Sequence, residues 1–220
     1  MGIRAIVLLG APGAGKGTMA EAIKAAVSVT HIATGDMLRE EIKKASRLGK
    51  VAADYVQQGR LVPDDIIVSM VMERLAGGGA GQRYMFDGFP RTVPQAELLD
   101  SNFKEQQAEI TVALLLEVSP EVCLERLTGR RVCRQCGANY HLQNIPPRRE
   151  GICDRCGGEL FRRQDDMPET IMKRLEVFRQ QTAGLLDYYE RQGKLAHVDA
   201  GGAREDTLAA ALRILAERNF

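Results

Sequence analysis

The sequence predicts an α/β protein, a three-layer sandwich with a five-stranded parallel sheet at its centre and smaller pieces inserted between the core elements. Two observations carry that prediction. Short apolar runs alternate with longer amphipathic stretches along most of the chain, the pattern of right-handed strand–helix–strand crossovers. One stretch, 131–167, breaks the alternation with four cysteines, adjacent prolines at 146 and 147, and few apolar residues.

Residues 3–9 form the first apolar run, and 84–86, 111–118 and 195–198 repeat its character. Each reads as a parallel strand buried on both faces. Residues 30–33 supply a shorter fifth strand. Helical periodicity covers 16–27, 36–44, 51–58, 64–75, 93–100, 120–127, 169–192 and 203–218. The glycine-rich run GGGAG at 77–81 reads as a flexible turn ahead of a strand. Ligands of doubly wound sheets sit beyond the C-terminal strand ends, where Gly10, Asp87 and Glu117 fall.

The totals narrow the function classes. At 220 residues the chain suits one main domain, below the roughly 250–300 residues at which single cores stop growing. Apolar residues make up 45% and charged residues 27%, a globular rather than a disordered balance. A formal charge of +1 gives no whole-protein field for nucleic acid or an acidic membrane. Any anion must be held by a local cluster of cations. The apolar run after the N-terminus is too short for a signal peptide or a membrane span, and Ile6 stands where a myristoylation motif wants Ser or Thr. Close cysteine pairs without an export signal point to metal binding in a reducing cytoplasm.

Residues 10–18, GAPGAGKGT, follow a strand and open a helix, the context a phosphate-binding loop requires. Glycines let successive N–H groups turn inward, and the helix N-terminus adds its positive end. Gly13, Ala14, Gly15, Lys16, Gly17 and Thr18 would surround the phosphates of a nucleoside triphosphate, with Lys16 as the mobile charge. The usual pattern places a magnesium-binding hydroxyl directly after the lysine. Here that place is Gly17, and the hydroxyl comes at Thr18. Asp87 ends a strand beside the loop, the position of a carboxylate that orients Mg²⁺ or its waters, or else of a turn or N-cap aspartate.

Cys133, Cys136, Cys153 and Cys156 form two C-x-x-C pairs separated by 16 residues, the spacing of paired zinc knuckles. Two knuckles complete a tetrahedral site of four thiolates with no open position for chemistry, so the site is structural. Iron fits the same ligand set. Gly137 and Gly157 follow the second cysteine of each pair and allow the tight turns that wrap a metal. The acidic residues interspersed here and the scarcity of aromatics argue against a nucleic-acid-binding ribbon. Cys123 reads as a small buried apolar residue.

The remaining motifs follow in order: TGDMLR at 34–39, GRLVPD at 59–64, DGFPRT at 87–92 with Gln95, RLTGRR at 126–131, Arg163 to Asp166, and Arg174. With the loop GAPGAGKGT, this series resembles the adenylate kinase family, in its long-lid, zinc-containing form common in bacteria. The resemblance covers nearly the whole chain. It implies a core of 1–32, 63–128 and 167–220, a helical acceptor-binding insert at 33–62 and a zinc-knuckle lid at 129–166. It implies reversible transfer of the γ-phosphoryl of MgATP to AMP, giving two ADP, in a cytoplasmic monomer that binds neither nucleic acid nor membrane.

Residue roles follow from the same resemblance. Arg39 and Arg91 would hold the acceptor phosphate, and Arg126, Arg130, Arg163 and Arg174 would clamp the transferring group. Thr34, Arg60, Leu61, Val62, Gly88, Phe89, Pro90 and Gln95 complete the AMP site, with the Gln95 amide reading the base edge. Asn139 and Tyr140 would cover the donor nucleotide, and Gly202 would lie near its adenine. Asp165 and Asp166 would hold the closed lid. Arginine suits the task because its planar fork grips phosphate oxygens in pairs and stays charged. Histidines are few, and His31 and His197 read as structural; no general base is needed for transfer to an existing phosphate oxygen. Two rivals remain: a kinase of another monophosphate, and a non-enzymatic zinc-ribbon ATP switch.

Overall fold

The first apolar run, Arg4–Gly10 (β1), becomes the central strand because its residues alternate between two cores. Ala5, Val7 and Leu9 face one, and Ile6 and Leu8 face the other. The computed structural model describes residues 3–76, 82–106 and 108–220. The glycine run expected to turn at 77–81 lies outside the described residues. After β1 come α1 (Lys16–Ala26), β2 (Thr30–Ala33), α2 (Thr34–Lys43), α3 (Arg47–Gln57), α4 (Asp64–Leu75) and β3 (Arg83–Asp87). Then follow α5 (Val93–Glu105), β4 (Glu109–Glu117), α6 (Pro120–Thr128), β5 (Arg130–Cys133), β6 (Asn139–His141) and β7 (Leu160–Phe161). The chain closes with α7 (Pro168–Arg191), β8 (Leu195–Asp199) and α8 (Arg204–Glu217).

All five core strands run parallel, in the order β2-β3-β1-β4-β8. One face of the sheet packs on side chains from α3, α4, α5 and α7, among them Ala52, Val71, Leu99 and Tyr189. The other packs on α1 and α8 through Met19, Ile23, Ala211 and Leu215. The expected three layers are therefore present. The register aligns Leu8 with Asp87, Ala33 with Asp87, and Glu117 with Asp199, so the C-terminal strand ends share one rim.

Several helices extend beyond their periodicity for local reasons. The helix expected from 51 starts at Arg47, because the Ser46 hydroxyl accepts the Gly49 N–H at 2.9 Å and caps it. α5 is capped by Thr92 and carries a proline in its first turn, and it continues to Glu105 because Phe103 still packs on the core. α2 begins at Thr34, with the TGDMLR motif inside its first turns.

The stretch 131–167 holds a small antiparallel sheet of its own, ordered β6-β5-β7, which the sequence did not forecast. Its apolar centre consists only of Cys133, Ala138, Tyr140, Cys153 and Leu160. The chain enters it through Gly129, where a Cβ would stand 2.2 Å from His141 Nε2.

Phe86 is fully buried on β3, with ring centroids of Tyr84, Phe89 and Phe103 at 6.4, 6.0 and 5.9 Å. Phe86→Ala removes the centre of this aromatic cluster and should lower stability by about 3–5 kcal/mol. Urea unfolding measures it, and an unchanged midpoint would show that the cluster does not anchor the sheet.

Candidate active site

The loop between β1 and α1 turns back on itself through glycine. Gly13 has φ 89° and Gly15 has φ 92°, left-handed values that L side chains rarely adopt. At Gly13 a Cβ would also stand 2.7 Å from the Cys123 carbonyl oxygen on α6. Gly15 is the N-cap of α1; no side chain caps this helix, and its first turn holds no acid. The first amides of α1 and its positive end are thus left for an anion. The Lys16 ammonium donates to the carbonyls of Gly10 (2.7 Å) and Ala11 (3.1 Å), so it lies back across the loop.

A cleft of about 650 Å³ opens over this loop. Gly13, Ala14, Gly15, Lys16, Gly17 and Thr18 form its floor, and Arg39, Arg91, Arg126, Arg130, Arg163 and Arg174 reach it from six separate segments. Each cation is held by a nearby acceptor. Arg91 donates to the Gly88 carbonyl at 2.8 Å and Arg126 to the Ala200 carbonyl at 2.8 Å. Arg39 pairs with Asp36 at 2.6 Å, and Arg163 lies 3.8 Å from the same carboxylate. Arg130 forks onto Asp166 at 2.8 and 2.6 Å, and Arg174 reaches Asp165 at 3.1 Å and Asp166 at 3.3 Å.

Electrostatics follow from this crowding. Desolvation in the cleft, reinforced by Arg91 and Arg174 and opposed by Asp87, brings the Lys16 ammonium down to about 8. Desolvation, then Arg39 and Arg130, likewise pulls Arg163 down. For Asp87, burial works to raise the carboxyl, but His31, Lys16 and Arg91 outweigh it and hold it below the usual range. His31 Nε2 lies 3.6 Å from Asp87 Oδ2, so this histidine stands behind a site carboxylate. A cleft whose cations repel one another favours a highly charged anion.

A smaller pocket of about 80 Å³ adjoins the cleft, lined by Thr34, Arg60, Leu61, Val62, Gly88 and Gln95 together with Arg39, Arg91 and Arg174. Gln95 is 2% exposed. Its Oε1 accepts the Arg91 backbone N–H at 2.8 Å, and its Nε2 donates to Asp64 at 2.6 Å. One amide proton and one lone pair remain for a ligand. Thr34 donates to the Gly88 carbonyl at 2.8 Å. Pro90 lines the main cleft, whereas the Phe89 side chain is fully buried in the core against Phe86. Arg60 lies over the Tyr55 ring at 4.7 Å.

Across the cleft stand Asn139 and Tyr140 of β6 with Gly202. Beyond β6 the four cysteine sulfurs lie within 4.8 Å of one another, with Cys133 and Cys156 3.4 Å apart and Cys136 and Cys153 3.6 Å apart. The Gly137 and Gly157 N–H groups close each knuckle onto the carbonyls of Cys133 and Cys153 at 3.1 and 2.8 Å. These four residues could hold a metal ion. Hydrogen bonding from Tyr140 pulls the Cys153 thiol down to about 6.

Sequence reasoning included Asp64 in the motif at 59–64 but gave it no role; it is the partner of both Gln95 and Thr92 (2.9 Å). It occupies the first turn of α4, where an acid needs no explanation beyond the helix dipole, so nothing local marks these partners. The pairing of His31 with Asp87 was likewise hidden, since it crosses two strands. Arg204 and Glu205 also line the cleft and carry no motif.

Comparison with known proteins gives a consistent family. A family model described as adenylate kinase matches residues 8–194. The chain is 48% identical to the adenylate kinase of Carboxydothermus hydrogenoformans, over 93% of this chain and 95% of that relative. It is 48% identical to the adenylate kinase of Caldicellulosiruptor bescii, over 96% and 98%. It is 47% identical to that of a Geobacillus species, over 88% and 90%.

The Asp166 side chain has no exposed surface and serves two arginines at once. Asp166→Ala leaves both without this partner and should cost about 3 kcal/mol. Chemical denaturation tests this, and a loss below about 1 kcal/mol, the level of a surface ion pair, would mean that the fork is not a structural tie.

Proposed function

The chain belongs to the adenylate kinase family, and from that premise we propose that it transfers the γ-phosphoryl group of MgATP to AMP, reversibly, giving two ADP. The observation that carries this reading is the convergence of Lys16 and six arginines from six segments on one cleft that has an anion-binding loop at its floor and a second pocket at its side. A single triphosphate needs fewer cations from fewer directions. A triphosphate and a monophosphate meeting head to head need this many.

In this reading ATP lies on 13–18, with Arg126 and Arg130 along its phosphates and Asn139, Tyr140 and Gly202 around its base and ribose. AMP takes the side pocket: Thr34, Leu61, Val62 and Gln95 meet the base, and Arg39 and Arg91 hold the phosphate. Arg60 and Gly88 shape the pocket walls, with Pro90 on the adjoining cleft and Phe89 in the core beneath. An oxygen of the AMP phosphate bonds to the γ-phosphorus as the β–γ bridging bond breaks, and ADP leaves on both sides. No proton has to be removed, so alignment and charge stabilisation account for the catalysis. Arg130, Arg163 and Arg174 gather around the transferring group. Magnesium bound with ATP would supply charge neutralisation. With Gly17 following Lys16, Asp87 would be the carboxylate that orients it through water.

Water must be kept out, or ATP would be hydrolysed. Closure of an acceptor segment at 33–62 and a lid at 129–166 over a core of 1–32, 63–128 and 167–220 would do so, on the μs–ms timescale of such motions. The four cysteines would hold zinc: a Zn–S length near 2.3 Å in tetrahedral geometry sets S···S at about 3.8 Å, close to the spacings between the knuckles. Such a site can contribute on the order of 10 kcal/mol to folding, enough to order a lid with so small an apolar centre. No described helix is long and apolar enough to cross a membrane. The family resemblance is what supports a monomer working in the cytoplasm.

A coupled assay should show ADP formed only when ATP and AMP are both present, with other monophosphates poor acceptors. ADP formed from ATP alone would overturn the reading. Lys16→Met and Arg91→Ala should each lower turnover by about 10³-fold or more, as loss of a preorganised transition-state contact does, while circular dichroism stays native. Normal turnover in both would remove the site assignment. Chelation of the metal should lower the melting temperature, and an unchanged melt would count against a structural zinc.

A further inference from the structure

Tyr140 stands mid-strand in β6 and is 7% exposed, packed with Cys133, Ala138, Cys153 and Leu160. Its phenol oxygen accepts the backbone N–H of Asp154 at 2.8 Å and lies 3.5 Å from Cys153 Sγ. The Asp154 carboxylate in turn accepts the Arg148 backbone N–H at 3.0 and 3.3 Å, which fixes the turn that presents this N–H. A phenol has one proton to give. A cysteine that holds a metal does so as thiolate and can only accept. The direction is therefore set: Tyr140 O–H donates to Cys153 sulfur.

We propose that Tyr140 is a positioning residue for the metal centre, orienting and partly neutralising the Cys153 thiolate, while its strand forms a wall of the nucleotide cleft. The proposal rests on the reading of the four cysteines as a metal site. Four thiolates around a divalent cation carry a net double negative charge, and hydrogen bonds to the sulfurs are what a half-buried site has to offset it. Cys153 is the buried ligand of the second knuckle, so the phenol reaches it where water does not. Tyr140 is also among the residues that line the cleft, with Asn139 and His141. One residue thus belongs both to the cysteine cluster and to the cleft wall.

The test uses the full chain, unaltered and as Tyr140→Phe, which keeps the ring and removes only the hydroxyl. Zinc affinity, measured by competition with a chromophoric chelator, should fall by about 10–100-fold, as for lost partners of metal ligands. In the cobalt-loaded protein the thiolate-to-cobalt band should move to longer wavelength, because the sulfur lone pair is no longer held down by a proton donor. Leu160→Ala, a packing change in the same small core, should lower the melting temperature and leave the band in place. Equal zinc affinity in Tyr140→Phe overturns the proposal, as does weakened binding with an unmoved band. Failure of the unaltered chain to bind zinc or cobalt overturns the metal reading itself, an outcome separate from either.

Discussion

Cations held round one cleft repel one another, and much of this molecule is arranged to keep them there. Each has an acceptor weaker than a phosphate beside it: backbone carbonyls for Lys16, Arg91 and Arg126, and carboxylates for Arg39, Arg130, Arg163 and Arg174. Such partners orient the donors before a ligand arrives, which is the preorganisation that makes fixed charges effective in a desolvated site. Asp166 is the extreme case, with no exposed side-chain surface and two arginines on one carboxylate.

The sheet supplies the frame. Because β1 is paired on both sides and buried on both faces, the loop that follows it cannot shift without moving the core. Gly13 adds a second restraint by pressing against the α6 backbone. The loop at 10–18 is therefore held from below by the sheet and from the side by a helix. On the opposite wall the small β5–β7 sheet has a much smaller buried cluster, in which Cys133, Cys153 and Tyr140 are three of five residues.

Much of this was legible from residue types in order. Strand–helix alternation marks the three layers, the glycine–lysine loop marks the floor of the cleft, and the cysteine spacing marks the four-sulfur cluster, because each depends on near neighbours in the chain. What stayed hidden depends on contacts between distant segments. Asp64 holds Gln95 across 31 positions and Arg126 reaches Ala200 across 74, and neither pairing leaves a local trace. Phe89 shows the reverse limit: its motif places it at the pocket, yet its ring turns inward to complete the aromatic core. The motif fixes the turn of the chain there and not the direction of every side chain.

Gly129 has an ordinary helical backbone, with φ −80°, so its lack of a side chain serves space rather than torsion. The imidazole of His141 fills that space, with Nδ1 accepting the Gln143 and Asn144 N–H groups at 3.1 Å each. The two positions form one steric unit at the point where the chain leaves α6. Among related sequences they should covary: a side chain at 129 becomes tolerable only where the ring at 141 is replaced by something smaller, and the pair would then record how tightly each relative packs that junction.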